Sequence, residues 1–347
     1  MYLLVLFYAN LILTLLFTPF FIIYFTRHKI IDIPGGRRIN TYAVPRMGGV
    51  VVYLTSILSI LLFYGNLDEI KFFILGSAII LFLGTVDDIR GVDYKKKFMV
   101  QFIAALLLVF FLSSEYSTMS FFGFDIPAPF DKVMLIVFIV GVINAVNLYD
   151  GLDGLVSGFA LLVSIVTFII GWQLNDKLVL ILSVSLIGSL IGFLKYNAFP
   201  AKIFLGDSGS LTIGFFLVST VLISSRNTDT GNMDLTFSVI LLAIPIIDTL
   251  KVMFIRLKKH KNLFMSDNSH VHHIILGSNV KHKSTVFLLQ AFSLVFALAA
   301  LLYSENLTIG LVLFAIVAFL LLFIKNILVA YKKLGEPQTV KKLSVKA

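Results

Sequence analysis

The pattern of hydrophobic and polar positions divides the chain into eleven long apolar stretches joined by short polar connections. The stretches lie at residues 2–25, 48–65, 70–86, 98–113, 132–148, 155–174, 177–195, 209–225, 235–256, 284–303 and 308–325. About 20 apolar residues is the length that an α-helix needs to cross the hydrocarbon core of a bilayer. The pattern therefore predicts an all-α, polytopic membrane protein with about eleven transmembrane helices.

Composition supports this prediction and excludes sites that depend on cysteine. Apolar residues make up 59% of the 347 residues, against roughly 45–50% in soluble domains. The first stretch is followed by no small-residue cleavage site, so we interpret it as a membrane helix and not as a signal peptide. The chain has no cysteine, which excludes disulfides and thiolate metal sites. We find no repeat, and we expect one integral membrane domain over residues 1–330 and a basic cytoplasmic tail over 331–347.

The distribution of basic residues predicts the orientation. Eleven crossings place the termini on opposite sides of the membrane, and Lys and Arg favour the cytoplasmic side. With the N-terminus outside, the outer side carries only four of the 28 Lys and Arg, namely Lys71, Lys132, Lys177 and Arg226. We therefore expect a cell-membrane protein whose N-terminus is outside and whose C-terminus is cytoplasmic. The net charge of +9 is then explained by the basic residues on the cytoplasmic side, which orient the protein during membrane insertion. We expect no nucleic-acid partner.

The predicted outer loops, around residues 114–130 and 226–234, look like ordinary spacers, whereas the inner loops are rich in acids, amides, histidines and glycines. Asp87 and Asp88 stand together at the inner end of the third stretch. Adjacent carboxylates at a membrane border repel each other and favour a nearby cation. The alternative is that they are solvated acids beside Arg90 and the lysines at 95–97. Any chemistry is expected in a cleft at the cytoplasmic face.

A second inner segment places Asn147, Asp150 and Asp153 three residues apart. If the preceding helix continues through it, that spacing puts the three side chains on nearly one face. Gly151 and Gly154 would let a ligand or another backbone approach closely. Helix capping is the alternative, and it explains one of these polar residues more easily than three.

Asp207 lies in a Gly-Asp-Ser-Gly-Ser run, at the predicted start of a helix near Ser208. Asp207 suits an N-cap, but the run also offers free amides that suit a phosphate. In the last long inner loop, His270, His272 and His273 crowd into four residues. They raise the alternative of a zinc site, although adjacent histidines point apart on a helix and better suit a loop that embraces a ligand.

Acidic groups for a cation and basic groups for phosphates thus converge on one membrane border. The histidines, with Lys202 and Arg256, are suited to neutralise a pyrophosphate. Magnesium usually binds through one or two carboxylates plus substrate phosphates. The residues therefore favour Mg²⁺ over zinc, with Mn²⁺ as the alternative cation.

These residues resemble the polyprenyl-phosphate N-acetylhexosamine-1-phosphate transferases. The resemblance runs from about Asp32 to Gly277, and five motifs occur in the order and spacing of that superfamily. They are Pro45-Arg-Met-Gly-Gly49, Asp87-Asp88, Asn147-Leu-Tyr-Asp-Gly-Leu-Asp-Gly154, Phe204-Leu-Gly-Asp-Ser-Gly-Ser-Leu211 and His270-Val-His-His273. Asp248 also belongs to the family pattern.

The resemblance implies a role for each matching residue. Asp87, Asp88 and Asp207 would be catalytic, with Asp207 and Asp88 as magnesium ligands. The uridine would be held by Asn147, Asp150 and Asn197, with Phe204 stacked on the uracil. Lys97 would receive the polyprenyl phosphate. The remaining substrate-binding residues would be Arg46, Asp153 and the pyrophosphate ligands His270, His272 and His273.

The resemblance also implies the activity. The His-Val-His-His and Pro-Arg-Met-Gly-Gly motifs are similar to the undecaprenyl-phosphate GlcNAc-1-phosphate transferase branch. We expect transfer of GlcNAc-1-phosphate from UDP-GlcNAc to undecaprenyl phosphate, which releases UMP and begins a cell-surface polysaccharide. The alternatives are phospho-N-acetylmuramoyl-pentapeptide transfer and membrane transport. Asn40 and Asp267-Asn-Ser-His270 depart from the family pattern and bear on the choice of sugar. The sequence leaves a homodimer open.

Overall fold

The computed structural model describes residues 1–33, 43–113, 116–227, 230–260 and 270–335, with side chains up to residue 329. Its helices are α1 (Tyr2–Arg27), α2 (Gly49–Phe63), α3 (Leu67–Arg90), α4 (Tyr94–Leu112), α5 (Phe130–Tyr149), α6 (Leu155–Gln173), α7 (Lys177–Asn197), α8 (Gly206–Ser224), α9 (Leu235–Leu241), α10 (Ala243–Lys258), α11 (Val271–Gly277), α12 (His282–Glu305), α13 (Leu307–Leu322) and α14 (Ile324–Gly335). Short strands are β1 (Ile31–Asp32), β2 (Val44–Pro45), β3 (Thr118–Phe121), β4 (Phe124–Ile126), β5 (Arg226–Asn227) and β6 (Asn232–Asp234).

The prediction of an all-α, polytopic membrane protein is confirmed, but the count of eleven spans is not. Each predicted stretch contains a helix, and seven helices, α1, α3, α5, α6, α7, α8 and α12, are long and apolar enough to cross a membrane. The ninth stretch is broken, because α9 and α10 meet at 83°; counted together they make an eighth span. Helices α2 and α13 are short, and α4 has three lysines among its first four residues.

Helix α8 lies at the centre of the bundle, where nearly every side chain is buried. It packs against α2, α3 and α5. The closest approach is between Gly49 of α2 and Gly209 of α8: a Cβ built on Gly49 would lie 1.8 Å from the Gly209 Cα. Only glycine permits this contact. It brings the Pro-Arg-Met-Gly-Gly motif against the segment that carries Asp207.

Buried polar side chains join α1, α2 and α7 inside the bundle. Thr55 Oγ1 lies 3.0 Å from Thr14 Oγ1 and 2.9 Å from Ser189 Oγ, and Ser189 also lies 3.2 Å from Asn10 Oδ1. Because lipid tails are as apolar as leucine side chains, hydrogen bonds and close packing contribute much of the association between membrane helices. The cluster therefore fixes three helices that support the motif at residues 45–49.

The two ends of the bundle differ. We call the end where α3 and α5 finish and α8 begins the site face, and the opposite end the far face. The far face carries a four-stranded sheet of order β4-β3-β6-β5, in which β3 and β6 run parallel. The expectation of ordinary spacers in these loops is wrong, because strands of two to four residues are too short for an alternating pattern to reveal.

Candidate active site

Lys97 joins two of the predicted catalytic carboxylates at the site face. Its Nζ donates to Asp87 Oδ2 at 2.5 Å and to Asp207 Oδ2 at 2.6 Å. The three residues come from the end of α3, the start of α4 and the start of α8. Asp87 is held further by the Val92 amide, which donates to Oδ1 at 2.6 Å. A cation thus sits between two acids that are distant in sequence.

The start of α8 is capped by Asp88 and not by Asp207. The helix begins at Gly206, and the amides of Asp207 and Ser208 each donate to a different oxygen of Asp88 at 2.9 Å. Gly206 has a φ of +71°, and a Cβ there would lie 2.5 Å from Asp88 Oδ2. The expectation that these amides are free for a phosphate is therefore wrong. Asp88 fills that position, and the Asp207 carboxylate is left to face the site.

Asn147 is the second residue that orients Asp207. Its Nδ2 donates to Asp207 Oδ1 at 3.1 Å and to Ser210 Oγ at 2.8 Å. Helix α5 ends at Tyr149, so the expected single helical face of Asn147, Asp150 and Asp153 does not form. Asp153 instead accepts the Ala201 amide at 2.9 Å. Gly151 and Gly154 lie in this segment, where the predicted continuation of the helix through Asp153 does not occur.

Asp150 follows α5 directly and lies among other acids. Burial, followed by the negative charges of Asp207, Asp88 and Asp153, raises the pKa of the Asp150 carboxyl to about 8. Burial therefore favours the neutral form of Asp150, and the carboxylates of Asp207, Asp88 and Asp153 repel its charged form. A divalent cation would relieve that repulsion.

The histidines lie on the short helix α11, so the expectation of a ligand-embracing loop is wrong for His272 and His273. Just before the helix, His270 Nδ1 lies 2.9 Å from Asp248 Oδ2, and the Val271 amide donates to Asp248 Oδ1 at 2.8 Å. Both oxygens of this buried carboxylate are therefore used to position the histidine motif. Sequence reasoning left Asp248 out of the predicted site, although an acid inside an apolar helix is itself a signal of function.

His272 connects α11 to the segment after α5. It is buried, and burial together with the neighbouring His273 lowers the pKa of the His272 imidazole to about 3. A Cβ on Gly151 would lie 2.2 Å from His272 Nε2. The ring centroids of His272 and His273 are 4.3 Å apart. The neutral ring of His272 thus acts as packing between the two segments, while His273 is the more exposed of the pair.

Three predicted substrate-binding residues make internal contacts. Asn197 is buried, accepts from Ser157 Oγ at 2.7 Å and donates to the Ile203 carbonyl at 3.0 Å. The Phe204 amide donates to the Pro45 carbonyl at 2.9 Å. Arg46 forms an ion pair with Asp32. These contacts give Asn197 a structural function, whereas the side chains of Arg46 and Phe204 are partly exposed.

The carboxylates could hold Mg²⁺ only if phosphate oxygens of a substrate complete its coordination. Within the described ranges, no group of three Asp, Glu or His side chains is placed to hold a metal ion. Asp87 and Asp207, however, both face the point that the Lys97 ammonium occupies, and their ligand atoms are oxygens. Magnesium commonly takes one or two carboxylates and completes its shell with phosphate oxygens and water. The donor set therefore fits Mg²⁺ and gives zinc no support.

Acids, a bridging lysine and histidines at one end of a membrane bundle define a membrane-embedded enzyme that handles phosphates. The model of glycosyl transferase family 4 matches residues 70–225. A probable undecaprenyl-phosphate N-acetylglucosaminyl 1-phosphate transferase from Bacillus subtilis is 30% identical over 331 residues, covering 92% of this chain and 90% of the relative. The chain belongs to glycosyl transferase family 4.

Two other relatives show the range of the family. An undecaprenyl-phosphate alpha-N-acetylglucosaminyl 1-phosphate transferase from Thermotoga maritima is 31% identical, over 84% of this chain and 87% of the relative. A phospho-N-acetylmuramoyl-pentapeptide-transferase from Wolbachia pipientis is 37% identical, but over only 56% of this chain and 64% of the relative. The similarity that spans most of the chain is therefore to the N-acetylglucosaminyl transferases.

Proposed function

We propose that this protein transfers N-acetylglucosamine 1-phosphate from UDP-GlcNAc to a polyprenyl phosphate, undecaprenyl phosphate in particular. UMP is released, and a polyprenyl-pyrophosphoryl sugar forms. The observation that carries the proposal is Lys97 between Asp87 and Asp207, since this arrangement offers both charges that a reaction between two phosphates requires. The names of the two relatives that align with most of the chain support the sugar and the lipid.

The reaction joins two anions. An oxygen of the lipid phosphate attacks the β-phosphorus of the UDP-sugar, a new P–O bond forms, and the bond from that phosphorus to the UMP oxygen breaks. Repulsion between the reactants makes charge compensation and positioning the main sources of acceleration. Mg²⁺, held by Asp207 and Asp87, would supply part of that compensation. Each oxygen of Asp88 accepts an amide of α8, which favours a capping role for Asp88 over the predicted one of metal ligand.

Lys97 is the side chain best placed to meet the acceptor. Its ammonium lies within hydrogen-bond distance of both acids, so a phosphate oxygen that replaces one of them stays beside a positive charge. Asn147 keeps Asp207 in place through Oδ1. His273 is the partly exposed residue of the histidine motif, and it would help to neutralise the pyrophosphate, with His270 held beside it by Asp248.

The proposal extends to membrane placement. The site face is cytoplasmic and Met1 is outside, because a UDP-sugar is a cytoplasmic metabolite and most basic residues lie toward the site face. One integral membrane domain over residues 1–330 and a homodimer remain predictions. Residues 336–347 of the proposed basic tail, as well as Asn40 and Asp267, lie outside the described residues.

The full chain in nanodiscs, given undecaprenyl phosphate and a panel of UDP-sugars, tests this proposal. We expect UMP release and a lipid product whose mass equals the acceptor plus one HexNAc-phosphate with UDP-GlcNAc. Reactions without acceptor control for hydrolysis of the UDP-sugar. Product from UDP-N-acetylmuramoyl-pentapeptide alone would overturn the sugar assignment, and UMP release that ignores the lipid would overturn the transfer itself.

A further inference from the structure

Lys97 contacts the carboxylate oxygens that an ion bridging the two acids would use. In Asp87, Oδ1 accepts the Val92 amide at 2.6 Å and Oδ2 accepts the Lys97 ammonium at 2.5 Å. In Asp207, Oδ1 accepts Asn147 Nδ2 at 3.1 Å and Oδ2 accepts the same ammonium at 2.6 Å. Each acid is thus oriented by the protein through one oxygen and turns the other oxygen toward Lys97.

A divalent cation and the ammonium exclude each other at this point. Magnesium binds oxygen at about 2.0–2.1 Å, so an ion held by Oδ2 of both acids would lie in the space that the Lys97 Nζ fills. The side chains of Lys97 and Asp87 are only 22% and 11% exposed, so solvent screens the repulsion between the two cations incompletely. Binding of the ion therefore requires the ammonium to move.

The place of Lys97 in the chain permits that movement. It lies in the first turn of α4, which starts at Tyr94 next to the site face, and its neighbours Lys95 and Lys96 are exposed. The ammonium is a compact charge on a flexible four-carbon stem. It can leave the two acids and remain at the same end of α4, where a phosphate at the membrane border would meet it.

We propose that Lys97 holds the place of the metal ion between Asp87 and Asp207 and gives it up when Mg²⁺ binds, which frees the ammonium for the lipid phosphate. This inference rests on the proposed function, which assigns both the ion and the phosphate to this site. Before the exchange, Lys97 offsets the repulsion between the acids; after it, Lys97 pairs with the phosphate. The ion and the acceptor then bind with positive coupling, and each raises the affinity for the other.

Binding of Mn²⁺ to the full chain tests the exchange without any measurement of activity. Mn²⁺ prefers the same oxygen ligands as Mg²⁺, and electron paramagnetic resonance measures the free ion. We compare the wild type with Lys97→Met and Lys97→Gln in phosphatidylcholine nanodiscs that contain neither UDP-sugar nor acceptor. Lys96→Met, at the exposed neighbouring position, is the matched control, and Asp207→Asn identifies the site.

We expect Lys97→Met and Lys97→Gln to bind Mn²⁺ at least about tenfold more tightly than the wild type, because a neighbouring charge commonly shifts an ionic equilibrium by that factor or more. Lys96→Met should match the wild type, and Asp207→Asn should lose the site. Mn²⁺ should also raise the Tm of Lys97→Met more than that of the wild type, since tighter binding stabilises the folded state further. Equal or weaker Mn²⁺ binding in both Lys97 variants, or no site that Asp207→Asn removes, would overturn the exchange.

A second measurement tests the coupling to the lipid. Undecaprenyl phosphate in the nanodisc should raise the Mn²⁺ affinity of the wild type and raise that of Lys97→Met less, and protein-free nanodiscs with the same lipid account for Mn²⁺ bound by the phosphate alone. Equal effects in both proteins would overturn the phosphate as the second partner of Lys97. A wrong sugar in the proposed function would change the products of the transfer assay and leave these affinities unaltered.

Discussion

The imidazole of His272 rests directly on the backbone of Gly151, so closely that a Cβ on Gly151 would lie 2.2 Å from Nε2. His272 belongs to the helix that begins after His270, and Gly151 follows the segment that contains Asn147 and Asp150. The contact is thus a direct mechanical link between the histidine motif and the acidic cluster. Its existence explains why a glycine, and not only a flexible residue, is needed between Asp150 and Leu152.

Gly151→Ala should therefore separate these two halves of the site. The new methyl group cannot share space with the buried ring, so α11 must shift. We expect UMP release to fall by at least about tenfold, since small displacements of positioned groups are costly in catalysis. Gly141→Ala on α5 is the control: a Cβ there meets nothing within 4 Å, and replacing a helical glycine favours the helix by up to about 1 kcal/mol.

The double variant Gly151→Ala/His272→Ala makes the test specific. Without the ring the methyl group has room, so the added loss from Gly151→Ala should largely disappear on the His272→Ala background. Equal losses on both backgrounds would contradict the proposed contact.

Lys97→Met should reduce turnover by about 10²-fold or more. The substitution keeps the length of the stem but removes the charge between Asp87 and Asp207, and a single preorganised electrostatic contact is commonly worth that much. Lys96→Met, next to it in α4 and exposed, is the control and should remain close to wild type. UMP release at saturating Mg²⁺ measures both. Unchanged turnover in Lys97→Met would show that the lysine only holds α3, α4 and α8 together.

The sequence predicted the parts of this site better than their arrangement. Paired acids at the end of a membrane helix point to function, Asp207 stood out at a predicted helix start, and the role of Lys97 was predicted from the resemblance to the family. What pattern reasoning could not predict was which acid caps α8. That choice depends on the close approach of α3 to α8: a Cβ on Gly84 would lie 2.5 Å from the Asp207 carbonyl oxygen.

The same limit applies to the fold. Hydrophobic stretches predicted where the helices are, because burial in lipid requires long apolar runs. The 83° break between α9 and α10 lies three residues before Pro245. Proline lacks the backbone N–H and its ring clashes with the carbonyl four residues earlier, here that of Leu241, so Pro245 was a local signal that a count of apolar residues does not register. The histidine motif was interpreted as a loop because adjacent histidines point apart on a helix, yet the buried Asp248 holds the start of α11.

Asp248→Asn tests whether that carboxylate positions His270. Asparagine can still accept the Val271 amide, but its amide nitrogen replaces the oxygen that faces His270 Nδ1, so the ring loses its negatively charged partner. Loss of a carboxylate that orients a functional histidine typically costs 10–100-fold, and we expect kcat to fall by about that factor. Asp248→Glu should recover part of the activity.

A purely structural role for Asp248 predicts a different pattern. Loss of a buried hydrogen bond costs about 1–3 kcal/mol, which would lower the Tm and the amount of folded enzyme. The kcat per folded molecule and its pH profile would then match those of the wild type. Active-site titration alongside circular dichroism distinguishes the two.

The last prediction contrasts Asp88 and Asp207, which lie at the same helix start but have different surroundings. Asp88 accepts the backbone N–H groups of two residues of α8. In Asp88→Asn, one of these donors faces the side-chain NH₂ of asparagine, which cannot accept a hydrogen bond. A lost cap costs about 0.5–2 kcal/mol, and we expect a lower Tm. Asp207 caps nothing and faces Lys97 and Asn147, so Asp207→Asn should leave the Tm nearly unchanged.

Unlike the Tm, the turnover of the enzyme should respond strongly to Asp207→Asn. Its substitution removes a negative charge that would hold Mg²⁺ against the pyrophosphate, and turnover should fall by about 10²-fold or more. Excess chelator should abolish UMP release by the wild type while changing the residual rate of Asp207→Asn much less, because that variant no longer binds the ion productively. Near-normal turnover of Asp207→Asn, with full dependence on Mg²⁺, would exclude Asp207 as a ligand and leave Asp87 as the carboxylate beside Lys97 that holds the cation.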